Sequence, residues 1–230
     1  MLFALIALAL AAPHNIHRED RYLDFSYSWP ASMAGGPRFK AHLQKLETKE
    51  HRRRLAYAQQ DQQESGPDFR QHSFKGIWKS QGTSSRLLSE TFSYAVLSGG
   101  AHGNSGSLAL IWDRSSNTPV KFANLFSASA IPTNLKHHYC LALIAARDRR
   151  RDGPSPAGDW PNNCPKDDEL TWSLIDRDHN GRFDRIKIEA DPYVAGSYAE
   201  GAYVITLPVS SSLMSALDRS MQRDFEIQRQ

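Results

Sequence analysis

Apolar and polar positions alternate in several separated stretches of this chain, and that period of two predicts strands. Over residues 22–29, Leu23, Phe25, Tyr27 and Trp29 fall on one face while Asp24, Ser26 and Ser28 fall on the other. Pro30 closes this half-buried strand. The same period returns in three runs over residues 72–113, broken at Gln81-Gly82 and again through the glycine-rich stretch 98–104. Those runs predict an antiparallel meander of about three strands. Residues 120–126 read as a short strand entering a helical turn. Trp172, Leu174 and Ile175 lead into an acidic loop, and Ile186 and Ile188 alternate after it, which predicts a second hairpin. Residues 202–207 complete the set as a last strand.

Helical spacing is confined to a few places. From Pro37 to Glu64 the chain has no internal Gly or Pro, and Phe39, Leu43 and Leu46 recur at helical intervals, predicting about seven turns. The middle of that helix, residues 49–54, carries charge on all sides, so it is expected to be solvated while the ends pack. A second helix over residues 135–150 carries Cys140, Leu141, Leu143, Ile144 and Ala145. Its basic end, Arg147 with residues 149–151, suits the partial negative charge of a helix C-terminus. A short amphipathic helix is expected at residues 210–217. Ahead of the first strand, residues 14–21 read as a polar leader.

Residues 1–12 are an uncharged apolar run, too short to span a bilayer. Ala9-Leu10-Ala11 supplies a small-x-small cleavage pattern, so the segment reads as a secretory signal peptide, and no transmembrane anchor is expected in the mature chain. Composition narrows the classes further. In 230 residues, 40% hydrophobic content supports a packed core and argues against disorder. With 28 basic against 25 acidic side chains, the net charge of +3 is not a nucleic-acid footprint. Export makes the 2 cysteines, Cys140 and Cys164, a disulfide candidate. The bridge would contribute roughly 3 kcal/mol by chain entropy.

The acidic loop carries the most specific chemistry. Asp176, Asp178, Asn180, the Arg182 carbonyl and Asp184 match the first positions of a calcium loop, with Gly181 at the sharp turn. Lys187 stands where an EF-hand needs a bidentate Glu, and strands replace its helices. What remains is similar to calcium loops held between two strands. The competing reading is a polar turn neutralised by Arg177, Arg182 and Arg185. His102 lies among Gly99, Gly100, Gly103 and Asn104, but no G-x-S-x-G occurs, which makes catalysis the weaker reading beside a constrained loop presented to a partner. His137 and His138 lack zinc-ligand partners.

Phe25-Ser26-Tyr27-Ser28-Trp29-Pro30 before a long helix, Ser98 to Asn104, Trp112-Asp113 with Asn124-Leu125-Phe126, and Asp191-Pro192-Tyr193 with Ala199-Glu200-Gly201 together resemble the PdaC/RsiV-like envelope domain, long catalogued as a domain of unknown function. The resemblance spans residues 22–217 as one domain, with a strand and helix over 22–64 and a sheet-rich part over 72–217. It implies an extracytoplasmic α+β domain, helices packed on an antiparallel sheet. In one branch the family senses lysozyme as the outer part of an anti-sigma factor, and in another it accompanies a polysaccharide deacetylase. Neither the anchor with a sigma-binding part nor the deacetylase domain is expected here, so signal transduction and deacetylation are not carried over.

The expected function is therefore a non-catalytic periplasmic or secreted binding module for a lysozyme-like or cell-wall-related partner. Gly100, His102, Asn104, Tyr193 and Tyr198 are its expected contacts. An envelope hydrolase using His102 and a purely structural calcium-stabilised domain are the alternatives.

Overall fold

The structure, a computed structural model, describes residues 13–154 and 163–227. The expected export signal lies outside these residues. The fold is α+β, as expected. It is built on two sheets rather than one.

The larger sheet has six strands in sequence order: β1 (His14–Glu19), β2 (Leu23–Trp29), β3 (His72–Thr83), β4 (Leu87–Leu97), β5 (Asn104–Asp113) and β6 (Thr118–Val120). Every neighbouring pair is antiparallel except β2 and β3, which run parallel. A parallel pair needs a crossover. Helix α1 (Pro37–Ser65, 29 residues) supplies it and lies on one face of the sheet. That face is the apolar side of the alternation: Phe25, Tyr27, Phe74, Trp78, Phe92 and Trp112 pack with Phe39 and Leu43 of the helix.

Two expectations change here. The leader is strand β1, because His14, Ile16 and Arg18 pair across to Trp29, Tyr27 and Phe25. The middle of α1 is not solvated on all sides either. Glu47 is buried and receives Arg18 at 2.7 Å and His14 at 3.3 Å, both from β1, while Arg54 lies over the rings of Phe74 and Tyr94. Charged residues three and four apart share one helix face, and that face meets β1 at Glu47 and the rings of β3 and β4 at Arg54.

The smaller sheet is β7 (Thr171–Ile175), β8 (Arg185–Ala190) and β9 (Tyr203–Pro208), all antiparallel. It stacks on the opposite face of β3, β4 and β5. Helix α2 (Thr133–Arg151) covers its far side, and helix α3 (Ser211–Ala216) follows β9 with Ser210 as N-cap. Leu135, Tyr139 and Leu143 join Trp172, Leu174, Ile186 and Ile188 in this second core. Gly82 marks a bulge within β3 rather than its end. A Cβ there would lie 2.6 Å from the Asp176 side chain, so glycine is what lets the hairpin of the small sheet close on β3. Past residue 217 the chain stays in the core. Asp224 is fully buried, and Phe225 pairs with Phe183.

Candidate functional site

Two loops meet at one end of the molecule. The first joins β4 to β5 and contains Gly99 at φ 73. The second, residues 191–202, joins β8 to β9. Asp191 docks its start, accepting the Ser107 amide at 2.9 Å and the Ser107 hydroxyl at 2.7 Å. Burial pushes the Asp191 carboxyl above the usual range, with the two bonds from Ser107 working against that rise.

Helix α2 holds the rest of this loop. Arg147, 1% exposed, donates through Nε to the Ala195 carbonyl at 2.7 Å and through Nη2 to the Asn163 carbonyl at 3.0 Å. Arg150 donates to the carbonyls of Glu200 and Ala202, and its guanidinium covers the Tyr203 ring at 3.9 Å. Arg151 pairs with Glu200 at 2.9 Å. Burial works against the charged form of Glu200, yet Arg151, Tyr203 and Ser197 together hold its carboxyl down at about 2. The basic helix end thus does more than answer the helix dipole: it is the clamp of a loop. Cys140 and Cys164 are bonded, with Cα atoms 5.6 Å apart, and the bridge brings Asn163 within reach of Arg147.

The clamp fixes an aromatic cluster. Tyr198 donates its hydroxyl to the Gly103 carbonyl at 2.7 Å, tying the two loops together. Its ring centroid is 4.5 Å from that of His102 and 5.5 Å from that of Tyr193. Tyr193 sits at φ 71, a conformation bulky side chains rarely adopt, and is nevertheless 44% exposed. Gly100 and Asn104 lie exposed on the same rim. The expected contact residues are therefore neighbours in space, although about ninety residues separate the two groups in the chain.

His102 Nδ1 bonds the next residue's carbonyl at 3.0 Å, and no carboxylate hydrogen-bonds its ring among the described residues. Asp191 gives both oxygens to Ser107. An Asp61–His72 pair at 2.8 Å, which sequence reading missed, lines a separate cavity of about 310 Å³ beside Arg54 and Tyr57. Its residues come from the end of α1 and the start of β3, and only the fold joins them. No nucleophile hydrogen-bonds that histidine among the described residues.

The acidic hairpin uses its oxygens on itself. Asp176 accepts the amides of Asn180 at 3.1 Å and Gly181 at 3.0 Å, one with each carboxylate oxygen. Asp184 accepts the Arg177 amide at 3.0 Å, and Asn180 accepts that of Arg182. Asp178 receives the Asn180 side chain. Among the described residues no three His, Cys, Asp or Glu side chains converge as a metal cluster. The amides of Asn180 and Gly181 thus close a tight polar turn around the Asp176 carboxylate. It also serves the C-terminal segment, since Phe183 exchanges backbone bonds with Asp224 and Glu226, at 2.9 and 3.0 Å.

These features define a two-sheet α+β domain that presents a clamped aromatic loop pair at one end. Neither a family model nor a curated protein matches the sequence. Solved structures do share its fold. A member of the DUF3298 family from Bacteroides fragilis is 14% identical with a TM-score of 0.53, the match covering 94% of this chain and 98% of that one. A DUF3298 family protein from Pseudomonas aeruginosa PAO1 is 14% identical with a TM-score of 0.52, covering 96% and 95%. The chain has a DUF3298-type fold. Among the described residues no helix is long and apolar enough to cross a membrane.

Proposed function

We propose that the protein is a non-catalytic extracytoplasmic binding module of the PdaC/RsiV-like kind, whose partner is a lysozyme-like protein or a cell-wall component. One observation carries this reading: an exposed tyrosine held at φ 71 stacks with a second tyrosine that is bonded to the glycine-rich loop. Backbone strain at an exposed aromatic residue adds nothing to the core, and such residues anchor interfaces. Among the described residues the His102 ring bonds a backbone carbonyl and no carboxylate, which supports recognition over chemistry.

The test is capture of a muramidase or of soluble wall fragments by the immobilised protein. Tyr193→Ala is expected to weaken capture by about thirtyfold, as loss of an aromatic anchor does. Retention of neither partner, or equal retention by Tyr193→Ala, refutes the proposal.

A further inference from the structure

The small sheet covers only part of the large sheet's second face. Its contacts fall along one line: Asp176 donates its amide to the Gln81 carbonyl, Leu174 to the Ser89 hydroxyl, and Thr171 its hydroxyl to the Ser107 carbonyl. Beyond that line the strands run on with no further sheet or helix packed on them among the described residues. The register then sets one row straight across the open half, His17 to Ser26 to Lys75 to Ala95 to Ser105. The next row sets Asp24 beside Ser73. Short side chains predominate, so the face is a shallow trough. Tyr198 walls one side of it, and the cleft measures about 510 Å³, within the range of small-molecule sites.

The chemistry of this trough is specific in two respects. The hydroxyls of Ser26, Ser73 and Ser105 and the ammonium of Lys75 have no hydrogen-bond partner among the described residues and stand open to a ligand, Lys75 and Ser105 exposed and Ser26 and Ser73 half-buried. The charges are mixed, because Lys75 and Asp24 both line the trough and Asp24 pairs with His17 at 2.9 Å. A polyanion or polycation would meet a like charge here. Neutral hydroxyls spread over two adjacent rows, one cation, and an aromatic ring held by its own hydroxyl instead match a ligand with hydroxyls around its edge and apolar C–H groups on its faces.

We propose that the trough binds an extended, uncharged oligosaccharide, its ring hydroxyls on Ser26, Ser73, Ser105 and Lys75 and one sugar face against Tyr198. The site deepens the binding-module reading, because it adjoins the aromatic cluster and shares Tyr198 with it. It does not require the protein partner.

Calorimetric titration of the full chain with cellotetraose and with tetra-N-acetylchitotetraose tests the inference. Saturable binding of at least one is expected. Ser26→Lys, which fills an open part of the trough without touching either core, is expected to weaken it by at least about tenfold. Ser105→Lys acts as a second, independent block at the other end of the row. If neither tetrasaccharide binds, or both bind the two lysine variants as well as the parent, the inference is overturned. Muramidase or wall-fragment capture that survives Ser26→Lys and is lost in Tyr193→Ala, with no tetrasaccharide binding, would remove this inference and leave the binding module standing. Tetrasaccharide binding blocked by Ser26→Lys, with no muramidase or wall-fragment capture, would do the reverse.

Discussion

Glu90 provides a direct test of the packing. It lies on β4 between Leu88 and Phe92, on the face that α1 covers, and is 0% exposed. One carboxyl oxygen accepts the Ser80 hydroxyl at 3.3 Å, and the other has no partner. No cation pairs with it among the described residues. Burial therefore pushes its carboxyl from 4.5 up to about 8, with the Ser80 bond only partly opposing the rise. The folded-state value exceeds the unfolded one, so the folded state binds the extra proton between them. Stability is full below about 4.5 and falls as pH rises towards about 8. At about 1.4 kcal/mol per pH, that gap corresponds to an upper bound of about 5 kcal/mol. Glu90→Gln keeps the neutral shape and cannot ionise. Urea unfolding at pH 5 and pH 9 should show the variant near the parent at the lower pH and more stable by about 3 to 5 kcal/mol at the higher. A difference between the two proteins that does not change with pH would refute the account of Glu90 as a neutral buried acid.

Three further outcomes follow from the loop clamp and the hairpin. Reducing the Cys140–Cys164 bridge, whose partners are 24 residues apart, should lower stability by about 3 kcal/mol and perturb the Tyr193 and Tyr198 resonances; unchanged tyrosine signals would disconnect the bridge from the loop. Arg147→Met should lower stability by about 1 to 3 kcal/mol, because the buried Ala195 carbonyl loses its donor and the Asn163 carbonyl loses a second contact. Circular dichroism melting reads that loss, and an unshifted Tm would contradict the clamp. The hydrogen-bonded acidic hairpin should melt at the same temperature with added calcium or with a chelator; a calcium-dependent rise in Tm would restore the metal reading of Asp176, Asp178 and Asp184.

Much of the local structure was legible in the chain itself. Alternation placed the strands, and a proline-free, glycine-free stretch with Phe39 and Leu43 placed the long helix, because each element must bury one face and that need is written as a period. The pairing of Cys140 with Cys164 was also legible, since they are the 2 cysteines in the chain. Polar segments gave no such signal. His14 to Glu19 looked like a leader because its apolar content is a single isoleucine, and only pairing with β2 makes it a strand. Arg147 looked like a helix-end charge, yet burial and the approach of residues 191–202 turn it into an anchor.

Sequence alone determined most of the elements, the mild net charge and the two loops that meet at the site, because period, composition and turn residues are local properties. The tertiary structure decided the rest. It split the strands into two sheets, joined β2 and β3 in parallel through α1, and brought His102 against Tyr198 from positions far apart in the chain. Half a sheet face stays open because the second sheet is only three strands wide, a consequence of how the layers stack that no stretch of residues records. The acidic hairpin shows the same division: its oxygens were plain in the sequence, and only the fold shows that those of Asp176 and Asp184 also accept the hairpin's own amides.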